Sequence, residues 1–302
     1  MRAAVRVRAR RDSSFGLLLT LPAVLLMVAL IGVPAVQTVL SSFRRTALSG
    51  ETTFIGVANY EKLLASSEFH SSLFTSLNYT IGYVVLATGL GLAFALLLNQ
   101  RFALRGLGRS LLILPWAIPV VLAGLIWRGL LDRSAGGLNA ALSQLGIIDD
   151  YIPWLASGAW ALFFTILAAV WHQASFAALL FLAALQTIPN EVTEAARVDG
   201  ASPWQNLRLI VLPWIRPMTI VVLVVNAIYG VLQFDTVFAM TQGGPGDATM
   251  LLPVLLYRQM FVFGDIGLAS ATAVVVAFMA LSLSALAVLL RRGDRAPIER
   301  AT

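Results

Sequence analysis

The stretch Ile188-Pro189-Asn190-Glu191-Val192-Thr193-Glu194-Ala195-Ala196-Arg197-Val198-Asp199-Gly200-Ala201-Ser202-Pro203 is a polar island between two long apolar runs. Asn190 suits a helix N-cap, and Glu191 and Glu194 lie early, where the helix dipole favours acids. Gly200 is a natural helix stop. Ser202 then caps a second helix with Pro203 at its first position, running through Gln205, Leu207 and Ile210 to Leu212-Pro213. The pattern predicts two short helices at an angle, lying on one face of whatever the flanking runs build. Ala195 and Ala196 give the first helix a low profile that a partner's groove can approach, with Glu194, Arg197 and Asp199 supplying charge around it. A plain helical connector is an equally open reading of these residues, because charged caps and Gly stops are generic.

The flanking runs decide the solvent. Hydrophobic residues make up 59% of the 302 and charged residues only 12%, about half the usual share for a soluble domain. A bilayer span needs roughly 20 mostly apolar residues. Six segments qualify: Phe15–Leu40, Ser72–Leu98, Leu107–Leu131, Ala159–Phe181, Pro217–Met240 and Gly267–Leu290. The runs are continuous rather than alternating, so they are read as helices and not barrel strands. The first run is too long for a signal-peptide core, so it is expected to be kept as a span. The expected organisation is a basic tail at 1–14, a six-helix membrane domain at 15–290 with the polar loop at 186–216, and a second basic tail at 291–302. The loop at 41–71 mixes charges and Gly and is expected to fold as a small cap on the opposite side.

Net charge is +6, and the arginines stand in short runs beside apolar segments, which fits topology rather than nucleic-acid binding. Fifteen of the 21 basic residues fall in the two tails and the second–third and fourth–fifth connections. The positive-inside rule therefore places both termini and the polar loop in the cytoplasm.

Several tracts resemble one family. Glu194-Ala195-Ala196, Asp199-Gly200, Ile210 and Leu212-Pro213 have the spacing of the signature loop of bacterial binding-protein-dependent ABC importers. Leu114-Pro115 and Gly137-Leu138-Asn139 with Leu142 and Gly146 are similar to the carbohydrate-uptake branch, of maltose and glycerol-3-phosphate type. Phe234-Asp235-Thr236-Val237-Phe238 followed by Thr241, Gly243-Gly244-Pro245 and Thr249 resembles the first of its two permeases. The resemblance covers nearly the whole chain. One departure is Ser175, where such proteins commonly carry Pro after the fourth-span Trp, here Trp171.

The resemblance implies an all-α permease of the type I ABC importer fold in a bacterial inner membrane. In it, Glu194, Ala195, Ala196, Asp199, Gly200, Ile210, Leu212 and Pro213 form the loop that docks on a cytoplasmic ATPase. The implied partners are a second permease subunit, two ATPase subunits and an extracytoplasmic solute-binding protein, besides membrane lipid. ATP and Mg2+ are expected on the ATPase partners and no cofactor on this chain. The sequence agrees in having no Gly-x-x-x-x-Gly-Lys-Ser/Thr phosphate cradle, no cysteine and no His-Glu-x-x-His helix, so no enzyme activity is expected.

Polar groups at membrane depth are costly and default to functional candidates. His172, Gln173 and Phe176 lie in the fourth apolar run; Asn226, Tyr229, Gln233 and Asp235 lie in the fifth. Asn226, Tyr229 and Gln233 recur at helical spacing and are expected on one face. Amide and imidazole groups suit sugar hydroxyls, and aromatic rings suit a sugar's flat apolar face. The resemblance implies sugar contacts near His172, Gln173 and Phe176 and around Tyr229–Asp235. Hydrogen bonding between helices is the competing reading for each amide or imidazole alone. Other solute classes (a glycerophosphodiester, a polyol, an amino acid) and a secondary transporter or channel remain rival readings at this point.

Overall fold

The computed structural model describes residues 19–46, 51–100 and 103–295. The basic tail at 1–14, Phe15 at the start of the first expected span, Arg101 and the end of the second tail lie outside them. Among the described residues the secondary structure is helical apart from one hairpin, and the chain divides into two compact units, residues 1–65 with 259–274, and 66–258 with 275–302.

The first unit opens with α1, Leu19–Ser42, apolar on all sides and with large side chains exposed along its length, as lipid contact requires. The expected cap follows. Strands β1, Arg44–Thr46, and β2, Thr52–Phe54, pair antiparallel with Arg45 opposite Thr53. Helix α2, Ala58–Ala65, is fastened back by Asn59, whose Nδ2 donates to the Ser42 and Arg44 carbonyls at 2.8 and 2.9 Å. Lys62 pairs with Asp265 at 2.8 Å. Burial pushes the Asp265 carboxyl up, but Lys62, the Leu268 N–H and the Arg45 charge outweigh it and hold the group below the usual carboxylate range.

The second unit holds α3, Ser67–Asn99; α4, Arg105–Ala117; α5, Val120–Leu130; α6, Gly137–Gln144; α7, Gly158–Leu185; α8, Asn190–Val198; α9, Pro203–Val231; α10, Asp235–Met240; and α11, Leu252–Val262, whose last turn passes into the first unit. The last helix, α12, Ile266–Arg295, connects the two units. Helices α1, α3, α7, α9 and α12 are each long and apolar enough to cross a membrane.

The third and fifth expected spans differ from this. Leu107–Leu131 is not one helix: α4 and α5 meet at 98° across Ile118-Pro119. Pro115 and Pro119 explain the break, since each removes a backbone donor and Pro119 disfavours helix at Ile118. The fifth span starts at Pro203 rather than Pro217 and ends at Val231 rather than Met240, so the second of the two short loop helices is the first turns of α9. A π-helical stretch at Leu207–Val211 lies just before Pro213 within it. Helix α7 runs unbroken through buried Ser175, without the kink that a proline there would bring.

Helices α3, α7 and α9 pack through small residues, as membrane interfaces do when backbones approach closely. A β-carbon at Gly91 would lie 2.6 Å from that of Ala177, and one at Gly230 would lie 3.0 Å from the Thr80 methyl. The face of α7 carrying Ala161, Ala168, Ala174, Ala177 and Ala178 is wholly buried. Toward the α8 end, Leu98, Phe181, Leu185, Val211 and Ile215 form a core against which Ile188, Leu207 and Leu212 pack. Toward the start of α7, Asn139 is fully buried and uses its whole amide. Its Nδ2 donates to the Asp132 and Ile152 carbonyls, and its Oδ1 accepts from the Ile152 N–H and Trp154 Nε1 at 3.1 and 3.0 Å. The backbone N–H of Ala135 and of Ser134 hold the Asp132 carboxyl below its usual range.

Candidate functional site

Two breaks in the helices of the second unit open onto one cavity of about 360 Å³. The first is the bend at Ile118-Pro119; the second is Leu232–Phe234, between α9 and α10. Trp116 and Val120 flank the first, Gln233 and Asp235 belong to the second, and His172 and Gln173 of α7 lie between. Irregular backbone at membrane depth is tolerated where it is buried in protein or lines a cavity. His172 supplies part of that tolerance. Its Nε2 bonds the Ile118 carbonyl at 3.1 Å, an oxygen that the helix break leaves without a helical donor.

The expected site residues separate by what their polar atoms do. Gln173, 5% exposed, donates through Nε2 to Asn226 Oδ1 at 3.1 Å, and Asn226 donates through Nδ2 to Thr88 Oγ1 at 3.0 Å. This relay ties α7 to α9 and α9 to α3. Asn226 is 1% exposed and is not part of the cavity wall, whereas Gln173 lines it. Phe176 also stands off the wall, stacked on Trp116 with ring centres 5.7 Å apart, and so positions the aromatic face that does line it. Tyr229 lines the cavity and is 54% exposed. Gln233 lies past the helical end, so it does not share a continuous helical face with Asn226 and Tyr229; its side chain makes no hydrogen bond among the described residues. Asp235 is the first residue of α10, where its charge favours the short helix. Sequence reasoning passed over Tyr83, Trp116 and Thr236, which also line the cavity. The paired prolines beside Trp116 were the available signal.

Beyond α10 the Gly243-Gly244-Pro245 turn is closed by Thr249. Its hydroxyl meets Thr241 Oγ1 at 2.7 Å and donates to the Gly244 carbonyl at 2.7 Å. Gly243 has φ +95°, a left-handed conformation that suits glycine. Arg258 pairs with Asp247 of the same turn at 2.9 Å.

At the other end, Pro189 and not Asn190 is the N-cap of α8; Asn190 is the first helical residue and its side chain does not cap. Gly200 turns out of α8 at φ +80°, with the Ala201 N–H bonded to the Ala196 carbonyl at 2.9 Å, the cross-bond of a glycine-ended helix. Ser202 and Gln205 form a reciprocal capping box at the start of α9. Glu194, Ala195 and Asp199 are exposed, as is Val198 at 88%. Ala196 is different: it is 8% exposed and faces its own chain, so it does not belong to the open surface expected of it. Ile210 and Leu212 are half-buried and Pro213 is exposed.

The chain that carries this elbow and this cavity matches known proteins over most of its length. The model of the family described as binding-protein-dependent transport system inner membrane component matches residues 87–294. The chain belongs to that family. It is thus a transport permease, a multi-pass membrane subunit of an ABC importer. It is 34% identical over 275 residues to the trehalose/maltose transport system permease protein of Thermococcus litoralis, covering 91% of this chain and 92% of that one. It is 36% identical over 282 residues to the sulfoquinovosyl glycerol transport system permease protein of Agrobacterium fabrum, covering 93% and 90%. Its fold is similar to a chain of a bacterial ABC transporter involved in the import of the acidic polysaccharide alginate. There the TM-score is 0.83 at 22% identity, covering 96% of this chain and 98% of that one.

Proposed function

We propose that this permease carries a sugar or sugar-like solute into the cytoplasm by ATP-driven alternating access, through the cavity between the two helix breaks. The observation that supports this most is the composition of the cavity wall. Trp116, Tyr83 and Tyr229 offer ring faces, and His172, Gln173 and Gln233 offer hydrogen-bonding groups. That combination grips a polyhydroxylated ring. The named solutes of the two curated relatives support the same class. A solute-binding protein delivers the solute, and a second permease completes the pathway. Two separate ATPase subunits bind ATP and Mg2+ and engage the exposed side of α8. The chain sits in the bacterial inner membrane with both termini in the cytoplasm.

Gln233 gives the clean test. Its side chain has no structural bond to lose, so Gln233→Ala should lower solute uptake about tenfold or more while leaving the thermal midpoint of the purified chain unchanged. Gln173→Ala should lower that midpoint, because it strands Asn226 Oδ1, in addition to lowering uptake. Normal uptake in both variants removes the cavity from the pathway.

Topology has its own check. Reporters fused after Gln100 and after Arg292 should be cytoplasmic, and one at Ser67 should be extracytoplasmic, following the fifteen-to-six split of basic residues. A cytoplasmic signal at Ser67 overturns the proposed orientation.

A further inference from the structure

We propose that the start of α4 holds a phosphate group, that of an anionic phospholipid, through the guanidinium of Arg109. The observation is an orphaned charge. Arg109 Nε and Nη2 are buried and make no hydrogen bond among the described residues. These two nitrogens form one edge of the guanidinium, and their parallel N–H groups fit two oxygens of a single phosphate or carboxylate. A buried donor left unpaired is costly, and a charged one more so, so an edge in this state calls for an anion. Nothing bonds the edge where it lies, and the side chain as a whole is only half-buried. Rotation about its long stem therefore brings the edge to the surface.

The surroundings name the anion. Helix side chains lean toward the N-terminus, so Arg109 lies over the first turn of α4, where Arg105 stands one turn earlier. Arg105 spends its Nε on the Leu98 carbonyl at 2.8 Å, near the end of α3, and its two terminal nitrogens stay free among the described residues. Leu104 offers no side-chain cap and the first turn holds no acid, so the open N–H groups there add positive potential. The outer face of α4 is apolar: Leu107, Leu111 and Leu114 are each more than half exposed, as contact with lipid tails requires. The inner face packs on the core through Leu112, one turn past Arg109. An arginine pair at the end of a lipid-facing helix lies at the depth of phospholipid phosphates. On the orientation proposed above it lies at the cytoplasmic surface, where anionic headgroups concentrate. A bound phosphate pins the base of α4 to the end of α3, while the far end of α4 carries Trp116 into the cavity wall.

The test uses the full-length chain with the subunits that co-purify, stripped of lipid in detergent, so that the result depends neither on orientation nor on the solute. Native mass spectrometry follows titration with phosphatidylglycerol, with diacylglycerol, which lacks the phosphate, and with inorganic phosphate. The wild type should hold phosphatidylglycerol at least about tenfold more tightly than either of the others, and Arg109→Gln should hold one phosphatidylglycerol fewer per chain. Arg109→Lys should bind about threefold more weakly than the wild type, since lysine keeps the charge but not the paired N–H edge. Arg109→Gln should be recovered as fully as the wild type, because the edge has no bond to lose; if it is not, Arg109→Lys carries the same comparison. Arg128→Gln, which removes an exposed arginine of α5, should leave phosphatidylglycerol binding unchanged. Unchanged binding in both Arg109 variants, or an equal loss in Arg128→Gln, overturns the site. Inorganic phosphate held as tightly as phosphatidylglycerol makes it a free-anion site and overturns the lipid. Loss of a partner subunit from Arg109→Gln with phosphatidylglycerol retained assigns the edge to an acidic side chain of that partner and overturns it as well.

Discussion

Gly200→Val should abolish uptake while the solute-binding protein still captures solute, and the ATPase subunit should no longer co-purify with the membrane subunits. The reason is conformational. Gly200 has φ +80°, and a β-carbon there would meet nothing within 4 Å, so crowding is not the obstacle. The obstacle is the left-handed backbone itself, which costs an ordinary residue roughly 1–2 kcal/mol and a β-branched one more. That is enough to unwind or redirect a nine-residue helix whose exposed side carries the proposed docking groups Glu194, Ala195 and Asp199. Gly200→Asn is the companion variant. Asparagine tolerates the left-handed region far better, so it should keep much of the wild-type uptake and ATPase recovery. If Val and Asn behave alike, the turn conformation is not what matters. Ala196 serves this test poorly. Because it is buried against its own chain, Ala196→Trp would disturb the root of the elbow as well as its surface.

Gly91→Val should cost the protein its fold. Helices α3 and α7 touch where Gly91 meets Ala177, and even the first added carbon would sit 2.6 Å from the Ala177 β-carbon and 3.2 Å from backbone. Neither neighbour is a flexible side chain that can swing away. The two helices must separate, which opens the alanine face of α7 and strains the relay from Gln173 through Asn226 to Thr88. Overpacking of this kind costs about 1–3 kcal/mol or more. The expected result is a steep fall in monodisperse protein recovered in detergent, with a lowered thermal midpoint in what remains. Gly89→Ala is the control on the same helix: its β-carbon would meet nothing, so recovery should match the wild type or rise slightly. Equal recovery of Gly91→Val and Gly89→Ala would show that α3 and α7 do not pack as described.

Four of the six expected spans were legible to within a turn or so wherever both ends are described, because continuous apolar runs leave little choice in a bilayer. The ends of the other two were not, for different reasons. The bend at Ile118-Pro119 had a visible cause in its prolines, but hydropathy averages across a bend and returned one span. The break at Leu232–Phe234 has no such cause, since Leu, Gln and Phe are ordinary helix residues. It is held from outside, by Tyr257 against Phe234 at 5.5 Å between ring centres and by Gly124 lying close under Thr236. The elbow at Gly200 and the Ser202-Pro203 restart were readable because turn chemistry is local. The facing of Ala196 was not, since an alanine beside a charged surface fits either side of a helix. Of the polar residues flagged by their cost at membrane depth, His172, Gln173, Tyr229, Gln233 and Asp235 line the cavity and Asn226 does not. What the sequence left undecided was which of them had already spent their hydrogen bonds on neighbouring helices.

The continuity of α9 has a mechanical consequence. Its 29 residues, Pro203 to Val231, make a rod roughly 43 Å long, which begins at the elbow and ends against the residues that wall the cavity. A pivot near the middle of such a rod converts a tilt of about 10° into opposed displacements of roughly 4 Å at its tips. On the proposed docking of an ATPase at α8, elbow and cavity are two arms of one lever, and a push on the first needs no chain of intervening side chains to be felt at the second.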